Sequence, residues 1–336
     1  MKISVVIPTY NSAKVIGATL DSVLRQTAPP GEILILDDGS TDDTISLLNS
    51  YKPRITLLQQ KNQGVAPSRN TLFQRATGDL IAFLDHDDLW HPRYLEMQRR
   101  RFEEYPNAAA FFSGHVDFSG YEEFKWPTDP AAGGDAPEVI QPLDFLKRYN
   151  ETTGYFGSMS FCCVPKAVLA AIGSEPFRIS GVDDSYFCTL LPLSGFVVYS
   201  PAPLVAYRIL NEAQSANRLK SLRSWVAVFE LLEDRYAKLP DKKMRRAFRM
   251  AFAAKRRRYG RLLMGAGDAR QARSQFTKAM PHPGDFASLM KSIAVYLQSH
   301  LPSRMQPLWP AGSREAELAN SPPNAQAPIA VQPSGR

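Results

Sequence analysis

The first 113 residues alternate short apolar runs with segments whose apolar residues recur at helical spacing. Ile3–Ile7 is a β-branched run that ends at Pro8, which predicts a buried strand. Residues 12–25 carry apolar side chains three and four residues apart, which predicts a helix. The same alternation predicts strands at 32–36, 54–58, 80–84 and 108–112, and helices at 42–51, 66–76 and 92–105. This order indicates an α/β domain with a mostly parallel sheet covered on both faces.

The alternation stops after residue 113, and the rest of the chain divides into segments of different character. Residues 114–140 are rich in Pro, Gly and Ala and predict a loop, and 196–199 predict one more strand before the turn-rich 201–203. From 215 to 301 the pattern is helical, with the apolar stripes Trp225, Phe229, Leu232 and Met244, Phe248, Phe252. We therefore predict a first domain at 1–215, a helical accessory region at 216–305 and a disordered tail at 306–336.

Charge separates the same two parts. The 336 residues carry a net charge of +7, but residues 1–215 carry −7 and residues 216–305 carry +14. Such a division suggests that the two parts have different partners.

No run of about 18 apolar residues exists and the start lacks an export signal, so we expect a cytoplasmic protein. Three cysteines, two of them adjacent, fit neither a disulfide framework nor a zinc site.

Polar residues follow four of the predicted strands at the point where each strand ends. The strands are followed by Pro8–Asn11, Asp37–Ser40, Asn62–Gly64 and Asp85–Asp88. Ligands of α/β sheets bind beyond the carboxyl ends of the strands, so these residues form a candidate site. The sequence lacks both GxGxxG after the first strand and GxxxxGK[ST], which disfavours a dinucleotide fold and a phosphate-binding loop.

Two of these segments carry candidate chemistry. Asp85 and Asp87 are hard oxygen ligands for Mg²⁺ or Mn²⁺, and such an ion would bridge a diphosphate leaving group. Asp38 follows a buried strand and could accept a hydrogen bond from a base on which Tyr10 stacks. Each segment has a plainer alternative, because Asp, Gly, Ser and Thr also form turns and helix caps.

Six segments together resemble the family 2 glycosyltransferases, which have the GT-A fold, an α/β fold with a mixed sheet flanked by helices. They are SVVIPTYN (4–11), ILDDGSTDDT (35–44), NQGVAPSRN (62–70), GDLIAFLDHDDLWHP (78–92), GVDDSYFCTLL (181–191) and LVAYR (204–208). They occur in the family's order, and the resemblance covers residues 1 to about 215.

The resemblance implies a role for each matching residue. Pro8, Tyr10 and Asp38 match the nucleoside pocket, and Arg69 matches a contact to the nucleotide or diphosphate. The family's DXD motif corresponds to Asp85, His86 and Asp87. In this correspondence Asp87 ligates the metal, Asp85 lies near the ribose and the metal, and His86 belongs to the nucleotide site.

The resemblance also places the catalytic base. Family members usually have Glu-Asp where this chain has Asp183 and Asp184, and the second residue is the base, so Asp184 is the expected base. A carboxylate beside a second carboxylate has a raised pKa, which suits a base near neutral pH. Asp183 is one methylene shorter than the usual Glu, which puts its acceptor-side role in question. Family members often carry a metal-binding histidine after Tyr-Arg, but Ile209 follows Tyr207–Arg208 here.

The rear part holds a cluster of ten Lys and Arg residues between Lys242 and Arg261, interrupted by apolar residues. One interpretation is an amphipathic helix with a solvated basic face, and another is docking on anionic lipid headgroups at the inner face of the membrane. No recognised nucleic-acid module is present, so we expect no specific nucleic-acid partner.

These observations predict an inverting glycosyltransferase. It would move a sugar from a nucleoside diphosphate donor, expected to be a UDP-sugar, to a hydroxyl of a glycan or lipid-linked acceptor, assisted by Mg²⁺ or Mn²⁺. Synthesis of cell-surface polysaccharide or lipopolysaccharide is the expected setting. The alternatives are a nucleotide-binding module with weak catalysis and, less favoured, a nucleotidyltransferase.

Overall fold

Short β-branched and apolar runs form the strands of one central sheet. The computed structural model describes residues 1–121, 124–126, 136–151, 156–209, 218–280 and 286–300. The strands are β1 (Ile3–Thr9), β2 (Glu32–Asp37), β3 (Thr56–Gln59), β4 (Leu80–Phe83), β5 (Leu89–Trp90), β6 (Ala110–Ser119), β7 (Glu138–Ile140), β8 (Cys162–Pro165) and β9 (Val197–Ile209). All seven residues of β1 are buried, as expected for the centre of a sheet with two covered faces.

Helices occupy most of the intervening segments. They are α1 (Ile16–Leu24), α2 (Thr44–Ser50), α3 (Val65–Arg75), α4 (Tyr94–Glu104), α5 (Pro142–Glu151), α6 (Lys166–Ile172), α7 (Asp183–Leu190), α8 (Arg218–Ala237), α9 (Lys242–Gly265), α10 (Ala269–Lys278) and α11 (Phe286–Gln298). Helix α3 packs against β1 and β2, and α4 packs against β6 and β9. Met244, Phe248 and Phe252 on α9 are all buried, which confirms that predicted apolar stripe.

The sheet has the order β3-β2-β1-β4-β8-β6-β9-β5, and β7 also pairs with β9. The strands from β3 to β4 are parallel, and so are β6 and β9. In contrast, β8 is antiparallel to both β4 and β6, and β5 and β7 are antiparallel to β9. The prediction of a mostly parallel sheet therefore holds for β3 to β4 and for the pair β6–β9, and the whole sheet is mixed, as the resemblance implied. Strands β5, β7 and β8 were not predicted: β5 and β7 have only two and three residues, and the local sequence of β8 does not distinguish a strand from a loop. The predicted loop at 114–140 is wrong at both ends, where its residues belong to β6 and β7.

Strand β9 extends ten residues beyond the predicted segment 196–199. It continues through Pro201 and Pro203 to Ile209, while its partner β6 shifts register on both sides of Gly114. A bulge of this kind accommodates residues that cannot take part in a regular ladder. The extension matters for function because it carries Tyr207 and Arg208 toward the end of β4.

The register of the parallel strands aligns their carboxyl ends. Thr9 of β1 pairs with Asp37 of β2, and Asp37 pairs with Gln59 of β3. The residues that follow these strands are therefore delivered to one edge of the sheet, which we call the carboxyl-end rim.

The chain folds into two compact units. The first comprises Met1–Ala213 with Arg223–Ala251, and the second comprises Gln214–Leu222 with Phe252–Arg336. Within the second unit, Gly260 leaves no room for a Cβ beside the ring of Phe276. The division at 215 and 305 stays a prediction, and the expected tail at 306–336 lies outside the described residues.

Candidate active site

Asp38 lies at the centre of the rim but is bound by the protein itself. It is 4% exposed, and its Oδ1 accepts hydrogen bonds from Gln60 Nε2 (2.7 Å) and the Gln63 N–H (2.9 Å). Its Oδ2 accepts from the Gly64 N–H at 2.7 Å. Asp38 therefore fixes the loop between β3 and α3, and this loop orders the floor of the predicted nucleoside pocket.

The start of α3 depends on a glycine. Gly64 has φ +92°, and a Cβ there would come within 2.5 Å of Ser180 Oγ. The Ser180 hydroxyl accepts a hydrogen bond from the Ala66 N–H at 3.2 Å. The loop after β3 is thereby tied to the segment that precedes α7.

The loops after β1 and β2 are tied to each other above the rim. The Asn11 N–H donates to Ser40 Oγ, and the Thr41 N–H donates to Asn11 Oδ1, both at 2.8 Å. Pro8 is buried within β1, whereas Tyr10 is 44% exposed. Tyr10 is thus available for stacking, and Pro8 shapes the strand below it.

Asp37 is a structural residue that the sequence interpretation did not single out. Its Oδ2 accepts from the N–H groups of Gly39 (3.2 Å) and Ser40 (3.0 Å). Among the described residues, its buried Oδ1 has no hydrogen-bond partner. Asp37 therefore shapes the turn that presents Asp38.

The segment after β4 holds the predicted DXD residues, and its carboxylates have different partners. Asp85 is 26% exposed in its side chain and accepts a hydrogen bond from Ser158 Oγ at 3.1 Å. The main-chain carbonyl of His86 accepts from Thr19 Oγ1 at 2.8 Å. Burial raises the pKa of Asp87, and the nearby Asp85 adds to that effect.

Arg208 fixes this segment from the end of β9, a role that sequence reasoning missed. Its Nε donates to the main-chain carbonyl of Asp87 at 2.8 Å, and its N–H donates to Asp88 Oδ1 at 2.9 Å. The guanidinium carbon lies 4.3 Å from the centroid of the Phe118 ring. Arg208 binds the backbone of Asp87 and not its carboxylate, so that carboxylate remains at the rim.

Asp88 carries a buried carboxyl group that was not predicted as a site residue. It is 1% exposed, and burial raises its pKa well above the ordinary value, with Asp87 and Asp85 adding to the shift. Its Oδ1 accepts from the Arg208 backbone, so Asp88 anchors the loop to β9.

Arg69 projects from α3 into the middle of the site. It is 5% exposed, with Nη1 donating to Asp183 Oδ2 and Nη2 donating to Asp85 Oδ1. Burial alone would lower the pKa of Arg69, but the carboxylates of Asp183 and Asp85 outweigh it and raise the pKa. The structure thus brings together the first DXD residue and the predicted catalytic pair through one guanidinium.

Asp183 and Asp184 begin α7 and differ in their environments. Asp183 is 2% exposed and paired with Arg69, whereas Asp184 is half-buried and accepts from the Ser185 N–H at 2.6 Å. Burial, with Asp183 beside it, raises the pKa of Asp184 to about 7. A carboxylate tuned in this way can accept a proton near neutral pH.

The described residues contain no group of three or more His, Cys, Asp and Glu side chains that could hold a metal ion. Asp87 and Asp85 are the predicted metal ligands, and the oxygens of Asp85 already accept from Arg69 and Ser158. Two carboxylates fit Mg²⁺ or Mn²⁺ when a diphosphate supplies further oxygens, because Mg²⁺ is usually held in this way.

The basic cluster of α9 is divided between surface and interior. Lys242, Lys243, Arg246, Arg249 and Arg258 are exposed. Lys255, Arg256 and Arg257, in contrast, are 7%, 7% and 8% exposed. Burial lowers the pKa of Lys255 to about 7, and Arg258 adds to the effect. The predicted solvated face is therefore limited to part of the helix.

Among the described residues, no helix is both long and apolar enough to span a bilayer.

Comparisons with known sequences identify relatives of this chain. The sequence profile described as Glycosyl transferase family 2 matches residues 4–167. The putative teichuronic acid biosynthesis glycosyltransferase TuaG of Bacillus subtilis (strain 168) is 32% identical over 237 residues, covering 69% of this chain and 88% of TuaG. The UDP-Glc:alpha-D-GlcNAc-diphosphoundecaprenol beta-1,3-glucosyltransferase WfgD of Escherichia coli is 43% identical over 98 residues, covering 29% of this chain and 39% of WfgD. Two uncharacterized glycosyltransferases are matched over only 31% and 17% of their own length.

Comparison with solved structures confirms the fold class. The crystal structure of residues 1–349 of TarS from S. aureus matches with a TM-score of 0.63 and 20% identity, covering 89% of this chain and 90% of that one. Structures of the same protein in complex with UDP and with UDP-GlcNAc match with TM-scores of 0.57 and 0.59 at 18% identity.

Proposed function

Because the chain belongs to the glycosyl transferase family 2, we propose that it transfers a sugar from a nucleoside diphosphate donor to a hydroxyl group. The acceptor is a glycan or a lipid-linked glycan, and the setting is synthesis of cell-surface polysaccharide. One observation carries this proposal: the carboxyl-end rim brings Asp38, the DXD segment and Asp184 to one edge of the sheet. Similarity to TuaG, which is named for teichuronic acid biosynthesis, supports the setting. Similarity to WfgD, which is named for transfer to GlcNAc-diphosphoundecaprenol, supports a lipid-linked acceptor.

The donor side of the site is the surface formed by the loops after β1, β2 and β4. Tyr10 offers an exposed ring for stacking on a base, while Asp38 orders the pocket floor through its hydrogen bonds to the loop after β3. Pro8 and His86 complete the nucleotide side. A UDP-sugar is the donor that we propose, since WfgD is named for UDP-Glc and TarS is solved with UDP-GlcNAc.

Asp87 and Asp85 are the residues that would hold Mg²⁺ or Mn²⁺ together with the donor diphosphate. Such an ion supplies charge neutralisation to the leaving nucleoside diphosphate. Arg208 keeps Asp87 in place through its main-chain carbonyl. The absence of a histidine after Arg208 fits an ion that depends mainly on the donor for its remaining ligands.

Asp184 is the proposed general base. It would accept the proton of the acceptor hydroxyl while the oxygen attacks the anomeric carbon from the face opposite the diphosphate. A single displacement of this kind inverts the anomeric configuration. The raised pKa of Asp184 makes it a stronger base than an ordinary aspartate, and the neighbouring Asp183 is paired with Arg69.

The first unit also offers a surface for a membrane partner. The start of α9 exposes Lys242, Lys243, Arg246 and Arg249, together with Met250, which is 39% exposed. Helix α9 carries no acidic residue. This face suits contact with anionic lipid headgroups at the inner membrane surface, where a lipid-linked acceptor would be found. Sedimentation with anionic and neutral vesicles tests it, and equal binding to both would contradict it.

A donor panel tests the proposed reaction. Purified protein is incubated with nucleotide sugars and Mn²⁺ or Mg²⁺, and the released nucleoside diphosphate is measured. Metal-dependent release with one donor, lost in Asp87→Ala and Asp184→Ala, is the expected result. Nucleotide binding without release from any donor and acceptor pair would favour the weakly catalytic module, and release of pyrophosphate would favour a nucleotidyltransferase.

A further inference from the structure

Arg69 lies between the proposed donor side and the proposed acceptor side of the site. It lies in the second turn of α3 and is 5% exposed. Its two terminal nitrogens donate to carboxylates from different elements, Asp85 after β4 and Asp183 at the start of α7. Both terminal nitrogens are therefore engaged within the protein before any substrate arrives.

Each of these carboxylates is also held from its other side. Asp85 Oδ2 accepts from Ser158 Oγ at 3.1 Å, and Asp183 Oδ1 accepts from the Gly181 N–H at 3.3 Å. The positions of both carboxylates are thus defined by two contacts each. One face of the guanidinium is covered by the Phe177 ring, whose centroid lies 6.0 Å from the guanidinium carbon.

The geometry requires an arginine. The planar guanidinium presents donors in a fixed fork and can bind two carboxylates at once, whereas a lysine ammonium is a single point charge on a flexible stem. Asp183 is 2% exposed. Removing its partner would leave an unpaired buried charge, which strongly destabilises the folded state. The contacts therefore define a rigid link and not an incidental ion pair.

We propose that Arg69 is a positioning residue that fixes the separation between the donor-side Asp85 and the acceptor-side pair Asp183–Asp184. In this role it does not bind the nucleotide or diphosphate, which differs from the contact that the resemblance implied. The inference rests on the proposed transfer, because it assigns Asp85 to the donor and Asp184 to the acceptor.

The link also affects the proposed base through its charge. The groups that act on Asp184 are the carboxylates of Asp183 and Asp85, the Arg69 guanidinium and the Ser185 N–H. Two further titratable groups that interact with Asp184, those of Cys188 and Tyr149, are buried. Arg69 opposes the carboxylates and keeps the pKa of Asp184 lower than they alone would set it. A substitution that moves the positive charge of Arg69 away from Asp184 should therefore raise the pKa of Asp184. The acid limb of the pH profile of kcat would then shift to higher pH.

The test compares Arg69→Lys with the wild-type protein in three measurements: the affinity for UDP by calorimetry without metal, the kinetic constants for the donor, and the pH profile of kcat. We expect kcat to fall about 100-fold, as for a displaced catalytic group. UDP affinity should stay close to the wild-type value, and the acid limb should move upward. Arg101→Lys is the matched control, because Arg101 is also buried (2% exposed) but bonds to Ser200 and Glu104 outside the site.

A loss of UDP affinity as large as the loss of kcat/KM, with an unchanged pH profile, would overturn the proposal and restore the nucleotide contact. Asp183→Asn is the second variant, in case Arg69→Lys does not fold. It should lower kcat without changing UDP affinity, and in the Arg69→Lys background it should add little, since residues in one network are non-additive. If the effects of Asp183→Asn and Arg69→Lys on kcat were fully additive, the proposed link between the two residues would be contradicted. Wild-type turnover is measured first; its absence contradicts the proposed transfer, while the UDP comparison still decides the role of Arg69.

Discussion

Carboxylates lie at both ends of the parallel strands, but their environments are opposite. At the amino end, Glu32 accepts hydrogen bonds from Ser4 Oγ (2.5 Å) and from the N–H (2.6 Å) and hydroxyl (2.9 Å) of Thr77. Burial alone would raise its pKa, but these bonds lower it to about 2. At the carboxyl-end rim, burial and neighbouring carboxylates raise the pKa of Asp87 and Asp184.

The difference separates structural from functional carboxylates within one sheet. Glu32 joins the starts of β1 and β2 to the segment before β4, so its charge stabilises the fold. The rim keeps several carboxylates close together, which opposes folding and is typical of sites that bind cations or move protons. The following substitutions test this contrast, beginning with the largest expected effect.

Asp184→Asn should abolish transfer while leaving donor binding in place. Loss of a general base lowers turnover by about 100- to 10,000-fold. The measurement is kcat with saturating donor, together with UDP affinity by calorimetry. Retention of more than a tenth of the wild-type turnover would show that Asp184 is not the base.

Asp87→Asn should lower turnover by about 100-fold, the order expected when one electrostatic contact to the leaving group is lost. The residual activity should respond less steeply to Mn²⁺ concentration than that of the wild type. A metal titration of both proteins checks this, and identical titration curves would remove Asp87 from the metal site.

Glu32→Gln should reduce stability without reducing turnover. Disrupting hydrogen bonds to a buried charge costs about 1–3 kcal/mol of unfolding free energy. The lowered pKa of Glu32 means that its contribution is present above pH 4.5 and is lost as pH falls toward about 2. Denaturant unfolding at pH 7 and pH 3 should therefore show a smaller difference between variant and wild type at the lower pH.

Asp184→Asn should also have a small effect of opposite sign on stability. The pKa of Asp184 is higher in the folded state, so folding becomes less favourable as pH rises from about 4 to about 7. The variant lacks this dependence and should unfold at a higher temperature than the wild type at pH 8, but not at pH 4. An equal or lower Tm at pH 8 would mean that the folded structure does not raise the pKa of Asp184.

Much of the fold was predictable because short apolar runs alternate regularly with helical spacing in the first 113 residues. The short antiparallel β8 was not, since nothing local in Cys162–Pro165 distinguishes a strand from a loop. Its insertion beside β4 depends on contacts with β6, which are distant in sequence.

For the candidate site, the sequence indicates which residues to consider but not which contacts they make. The roles of Asp38, Asp87 and Asp184 stay predictions, as does the assignment of Arg69 to the nucleotide. The sequence interpretation gave Arg208 no role. Both arginines bind protein groups on elements distant in the chain, and such partners are defined only by the folded structure. The raised pKa of Asp184 was anticipated from its neighbour Asp183, because adjacent carboxylates interact in any fold.

The central claim is that the carboxyl-end rim carries a base with a raised pKa in a nucleotide-sugar transferase. The most direct measurement is the pH dependence of kcat for nucleoside diphosphate release, with saturating donor, acceptor and Mn²⁺. We predict that kcat falls as pH decreases through about 7, where Asp184 becomes protonated. A kcat that stays constant down to pH 5 would contradict the assignment of Asp184 as the base.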